Sequence, residues 1–110
     1  MTEQVYETSQ IKIKAAHEIL NDCIKVQQDR GKDYDTQGNQ QERSFSSVAT
    51  AFNAITGKSL TPAEVCLVLQ IVKDVRQWSQ DRLHEDSVLD GVSYASLKGE
   101  ELYKQYKVEL

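Results

Sequence analysis

Proline occurs once in this chain, at Pro62, and glycine only five times. That scarcity excludes collagen-like and low-complexity architectures, and no internal repeat takes their place. Cysteine is as rare. Cys23 and Cys66 each sit among apolar neighbours, with no Cys-x-x-Cys pair and no Cys/His cluster of zinc spacing. Two reduced, buried thiols in a cytosolic protein are expected. No apolar stretch approaches the roughly 20 residues of a spanning helix, and the opening Met1-Thr2-Glu3-Gln4 is polar. Neither a signal peptide nor a membrane segment is therefore expected, and the compartment expected is the cytoplasm. A basic surplus is missing too. The net charge of −4 and pI near 5.1 argue against a nucleic-acid partner.

What is present is ordinary globular chemistry. The hydrophobic fraction is 39% and the charged fraction 27% over 110 residues, which fits one domain spanning 1–110. A chain of this size buries roughly 60–70% of its unfolded surface, so its core is thin. Oligomerisation is the simplest way to enlarge it, and a homo-oligomer is expected.

Apolar residues recur at spacings of three and four, and strand-like alternation is nearly absent. A first helix is predicted over 8–28, with the stripe Ile13, Ala16, Leu20, Cys23/Ile24 and Gln27, and with Gly31 as its stop. Residues 31–43 read as a long polar loop, a common place for function. A second helix is predicted over 44–55 and is broken at Gly57. The third has the clearest start: Thr61-Pro62-Ala63-Glu64 reads as N-cap, first-turn proline and capping-box glutamate. It is apolar nearly all round in its first half and is expected to be the buried centre. A fourth helix is predicted over 85–107. The expected fold is thus an all-α bundle of four main helices.

The polar residues that could carry chemistry gather in 73–94. Asp86 and Asp90 share a helix face, so they could hold a divalent cation or simply favour the helix start and pair with cations. Lys73 and Arg76 lie on an apolar helix and need partners, either Asp90 or a bound phosphate. His84 reads as a solvated turn histidine, a phosphate contact or an acid/base. Glu18 and Asp22 would join Asp86 and Asp90 in a metal site only if the first and fourth helices were neighbours. Arg30, Lys32 and Tyr34 open the long loop; they could grip phosphate and stack on a base, or simply be solvated. Gly57-Lys58-Ser59 lacks the upstream glycine of a phosphate loop and is set aside.

These residues also form a pattern. Asp29-Arg30-Gly31-Lys32-Asp33-Tyr34, Phe45 with Val48-Ala49, Thr61-Pro62 with Glu64-Val65, Lys73 with Arg76, and Asp86-Ser87, Asp90 and Tyr94-Ala95 follow in order. The order resembles a family of short phage and prophage proteins of unknown function, over about 29–97. Asp35, Ser44 and Ser93 depart from that family's Gly, Asn and Gly. The family is in turn distantly similar to the all-α nucleotide pyrophosphatases of the MazG type. Those enzymes hold magnesium with Glu-x-x-Glu on one helix and Glu-x-x-Asp on the next, and this sequence has neither motif. The resemblance therefore implies fold and nucleotide biology more than hydrolysis.

The reading that follows is a phage-encoded accessory protein in the host cytoplasm, not an enzyme, needing no cofactor. It would bind a nucleotide or a host protein, with counter-defence as the expected role. Arg30, Lys32, Lys73, Arg76 and His84 would contact a ligand, with Tyr34 and Tyr94 beside them. The alternatives are a magnesium-dependent nucleotide pyrophosphohydrolase using Asp86 and Asp90, and a structural interaction protein.

Overall fold

A computed structural model describes residues 12–36 and 44–107, with the backbone alone over 30–36. The described residues form four helices and no strand: α1 (Ala16–Thr36), α2 (Phe45–Thr56), α3 (Pro62–Trp78) and α4 (Glu85–Gln105). The expected all-α class holds.

Helix α1 differs from its predicted limits at both ends. Residues 12–15 are not helical, and the helix opens where Glu18 Oε1 accepts the Ala15 N–H at 2.8 Å. At the other end it runs through Gly31 to Thr36, so the loop predicted from residue 31 is helical over its first six positions. A single helical glycine costs only about 1 kcal/mol relative to alanine, too little to stop a long helix unaided. Residues 37–43 lie outside the described residues. The stripe predicted for this helix splits: Cys23 is buried and Gln27 partly so, while Ile13, Leu20 and Ile24 are exposed.

The other boundaries lie close to prediction. Gly57 ends α2 in the left-handed region (φ 74°), its N–H donating to Asn53 O at 2.8 Å. The Asn53 amide then pairs with both backbone groups of Leu60, at 2.7 and 2.9 Å, and turns the chain into α3. The capping box forms as predicted. Glu64 N–H donates to Thr61 Oγ1 at 3.1 Å, and Thr61 N–H to Glu64 Oε1 at 2.8 Å.

Packing is open. The α3–α4 hairpin is the most extensive pairing; α2 lies along α3, and α1 lies along α4. Phe45, Ala49, Val65 and Cys66 form the buried cluster, with Leu60, Leu69, Tyr94 and Leu97 against it. Cys66 is wholly buried, as expected of an apolar helical cysteine. Helix α3 contributes Ala63, Val65 and Cys66 to the interior, more buried residues than any other described helix, but it is not buried all round. Its Leu67, Val68, Ile71, Val72, Val75 and Trp78 are exposed, Val75 to 60% and Trp78 to 82%. One helix has neighbours only where others reach it, and here only one side of α3 is covered.

Candidate functional site

The hairpin 73–94 is assembled by α3, its C-terminal turn and the start of α4. Gln77 holds the turn from within α3: its Nε2 donates to Arg82 O at 2.9 Å, and its Oε1 accepts the His84 N–H at 2.8 Å. The His84 ring Nδ1 lies 2.6 Å from the Oγ of the buried Ser87, so the imidazole is turned into the hairpin. Neither contact was foreseen; glutamine and serine at these positions carry no distinctive sequence pattern.

Lys73 and Asp90 close the hairpin. Lys73 Nζ lies 3.1 Å from Asp90 Oδ2, and the side chains retain 16% and 31% of their exposure. Of the two partners open to Lys73, the protein supplies the carboxylate. Arg76, one turn on, is exposed and makes no ion pair among the described residues, although its carbonyl accepts from Gln80 Nε2 at 2.7 Å. Tyr94 packs against the core cluster. The candidate ligand-binding residues of the hairpin therefore separate into a paired lysine, a turn-bound histidine, an outer arginine and a core tyrosine. Arg30, Lys32 and Tyr34 lie on the last turns of α1, with side chains outside the described residues.

For Glu18 and Asp22 to join Asp86 and Asp90 in a metal site, α1 and α4 had to be neighbours, and they are. The carboxylates nevertheless do not gather. Glu18 accepts the Ala15 N–H, Asp22 accepts Lys14 Nζ at 2.6 Å and Asp90 holds Lys73. Among the described residues no three His, Cys, Asp or Glu side chains lie together as a metal would need. Asp86 and Asp90 remain a pair of carboxylates, one of them already neutralised.

A concave feature lies beside the hairpin instead. Residues 12–14 cross the start of α4 and leave a groove of ≈ 580 Å³. Ile19, Leu83, Val88 and Leu89 supply apolar lining, and Lys12, Lys14, Asp22, Glu85 and Asp86 supply charge. Asp22 raises the Lys14 pKa above the usual lysine value, first by its hydrogen bond and then by its charge, with smaller contributions from Glu85 and Glu18. Asp86, exposed on the groove, has no ion pair among the described residues. Lys14 and Asp22 stand eight positions apart across a helix start, which no helical spacing rule would pair.

Helix α1 is tied to α4 by one amide. Gln27 Nε2 reaches Ser93 Oγ and Ser96 Oγ, both at 2.9 Å. Ser93 thus carries a hydroxyl used in helix–helix contact.

No curated protein and no solved structure matches the chain. A family defined as a domain of unknown function, DUF6378, matches residues 18–102, from the first turns of α1 almost to the end of α4. The match takes in the whole hairpin, the groove-lining start of α4 and every core residue of the cluster, and so the chain belongs to the DUF6378 family.

Proposed function

We propose that this protein is a phage-type accessory protein that acts without catalysis, by binding a segment of a host protein rather than a nucleotide. The groove between residues 12–14 and the start of α4 carries this reading. Ile19, Leu83, Val88 and Leu89 give it an apolar strip, and Asp86 on its wall is a carboxylate without an ion pair among the described residues. A partner segment bearing lysine or arginine next to aliphatic side chains complements both features. The acidic net charge of the chain favours the same partner. A phosphate is less well served. Lys73 is held by Asp90 and Lys14 by Asp22, and Glu85 and Asp86 repel an anion. The phage setting, with the host cytoplasm as the compartment and counter-defence as the role, is supported by the resemblance to short phage and prophage proteins. Magnesium-dependent hydrolysis would rest on Asp86 and Asp90, and Asp90 would first have to leave Lys73.

The full chain, mixed with a nucleotide panel and magnesium, should release neither phosphate nor pyrophosphate and show no rise in melting temperature. Fluorescent peptides pairing Lys or Arg with Leu or Ile should bind, and Asp86→Lys should weaken them by about tenfold, one lost charge contact. Pyrophosphate release that disappears in Asp90→Ala would overturn this reading in favour of the hydrolase.

A further inference from the structure

Helix α3 has two opposite faces. Cys66, Leu69, Lys73 and Gln77 turn toward the core and α4. Leu67, Val68, Ile71, Val72, Val75 and Trp78 occupy the remaining arc, roughly 140° wide at 3.6 residues per turn. All six are exposed, and no described element covers them. Val68, Ile71, Val75 and Trp78 alternate by three and four, the a/d spacing by which two helices pack along a seam. Six contiguous apolar side chains on one helix exceed the scattered exposure normal for a monomer.

We infer that this face of α3 is covered by α3 of a second copy, packed antiparallel about a two-fold axis between Ile71 and Val72. The spacing is self-complementary under that operation. Val68 of each copy falls opposite Val75 of the other, and Ile71 opposite Val72, so apolar meets apolar along the seam. An isologous interface demands this self-matching, and a surface shaped for an unrelated partner does not need it. Charge selects the direction. Glu64 lies in line with the seam in the first turn of α3, and Arg76 borders it in the last. Parallel packing would set the two Glu64 carboxylates against each other. Antiparallel packing separates them and brings each to the level of the other copy's C-terminal turn, where Arg76 stands; the helix dipoles then also oppose. The area suffices. Trp78 alone can bury roughly 150–250 Å², and its five partly exposed aliphatic neighbours with the flanking polar side chains supply much of the rest of the roughly 800 Å² per partner of a standard interface. The groove at the start of α4 is lined by no residue of α3.

Light scattering and sedimentation of the full chain over a concentration series should show a dimer that dissociates on dilution. Trp78, the single tryptophan, should shift its emission to longer wavelength as the dimer dissociates. Ile71→Glu should be monomeric with an unchanged helical circular dichroism spectrum. Val75→Lys, at a site already 60% exposed, tests the same face should Ile71→Glu fail to fold. Val72→Cys should cross-link to itself on mild oxidation; Val75→Cys should cross-link efficiently only when mixed with Val68→Cys. A wild-type chain that is monomeric at every concentration would overturn the inference, as would a dimer insensitive to both seam variants. A Val75→Cys self-cross-link as efficient as that of Val72→Cys would overturn the antiparallel arrangement. None of these outcomes bears on peptide binding at the groove, so the two readings fail separately.

Discussion

Lys73 Nζ and Asp90 Oδ2 meet at 3.1 Å across the α3–α4 hairpin, with most of both side chains withdrawn from water. The pair joins the two helices that make the most extensive contact in the fold. It also engages one cation and one carboxylate that could otherwise have served a phosphate or a metal. Partial burial makes the pair sensitive to one-sided change, because the charge left behind has lost part of its hydration.

Lys73→Met and Asp90→Leu should therefore each destabilise the domain by about 1–3 kcal/mol, between the exposed and the fully buried cases. The double variant, which leaves no orphan charge, should recover most of the loss. Urea unfolding of the two single variants and the double variant measures the coupling. Additive losses would show that the pair contributes nothing of its own.

Gln77 should matter more than an ordinary partly buried glutamine. Gln77→Ala removes the two hydrogen bonds that hold Arg82 O and His84 N. At about 1 kcal/mol for each lost bond, a loss near 2 kcal/mol is expected. Amide exchange at His84, whose N–H donates to Gln77, should accelerate, while exchange in α2 should change little.

The glycines separate by backbone. Gly91 and Gly99 sit inside α4; a Cβ at Gly91 would lie 3.9 Å from Lys73 Cβ, and one at Gly99 would meet nothing within 4 Å. Gly91→Ala and Gly99→Ala should each raise stability by about 0.5–1 kcal/mol. Gly57 has room for a Cβ too, but its φ of 74° does not suit one. Gly57→Ala should be destabilising by about 1 kcal/mol. Thermal melts of the three variants should give these opposite signs.

Burial, with smaller contributions from the Glu101 and Glu100 carboxylates, pushes the Cys66 thiol from 9.0 up to about 11. Between those values the unfolded chain loses the proton and the folded chain keeps it. The contribution to stability is thus complete below pH 9.0 and is lost as the pH rises toward about 11. Comparison with Cys66→Ala over that window isolates it, since the variant should lack this part of the alkaline decline. At neutral pH the folded thiol should react with a disulfide reagent only as fast as the protein unfolds.

The helices themselves are local physics, and the primary structure carries them. Apolar spacings of three and four, the Thr61–Glu64 capping box and Gly57 past the end of α2 act within a few residues of chain, so these local signals place α2, α4 and the start of α3 within a residue or two. Gly31 misled for the same local reason: a glycine is a weak stop, and the residues around it sustained the helix to Thr36. What no residue pattern could decide is who meets whom. The Lys73–Asp90 pair follows from the hairpin crossing, and its two residues were among the candidates. The contacts that Gln77, Gln27 and Lys14 make reach other elements or cross a helix start, and no spacing rule pairs them. Composition marked α3 as the buried centre but did not show that one of its faces stays exposed, because hydrophobicity records what a helix could bury and not how much surface its neighbours offer. Helices α1 and α2 flank the hairpin without covering the far side of α3, and that arrangement of neighbours leaves Val75 and Trp78 exposed, opens the groove beside Asp86, and keeps the carboxylates of α1 and α4 from converging on a metal site.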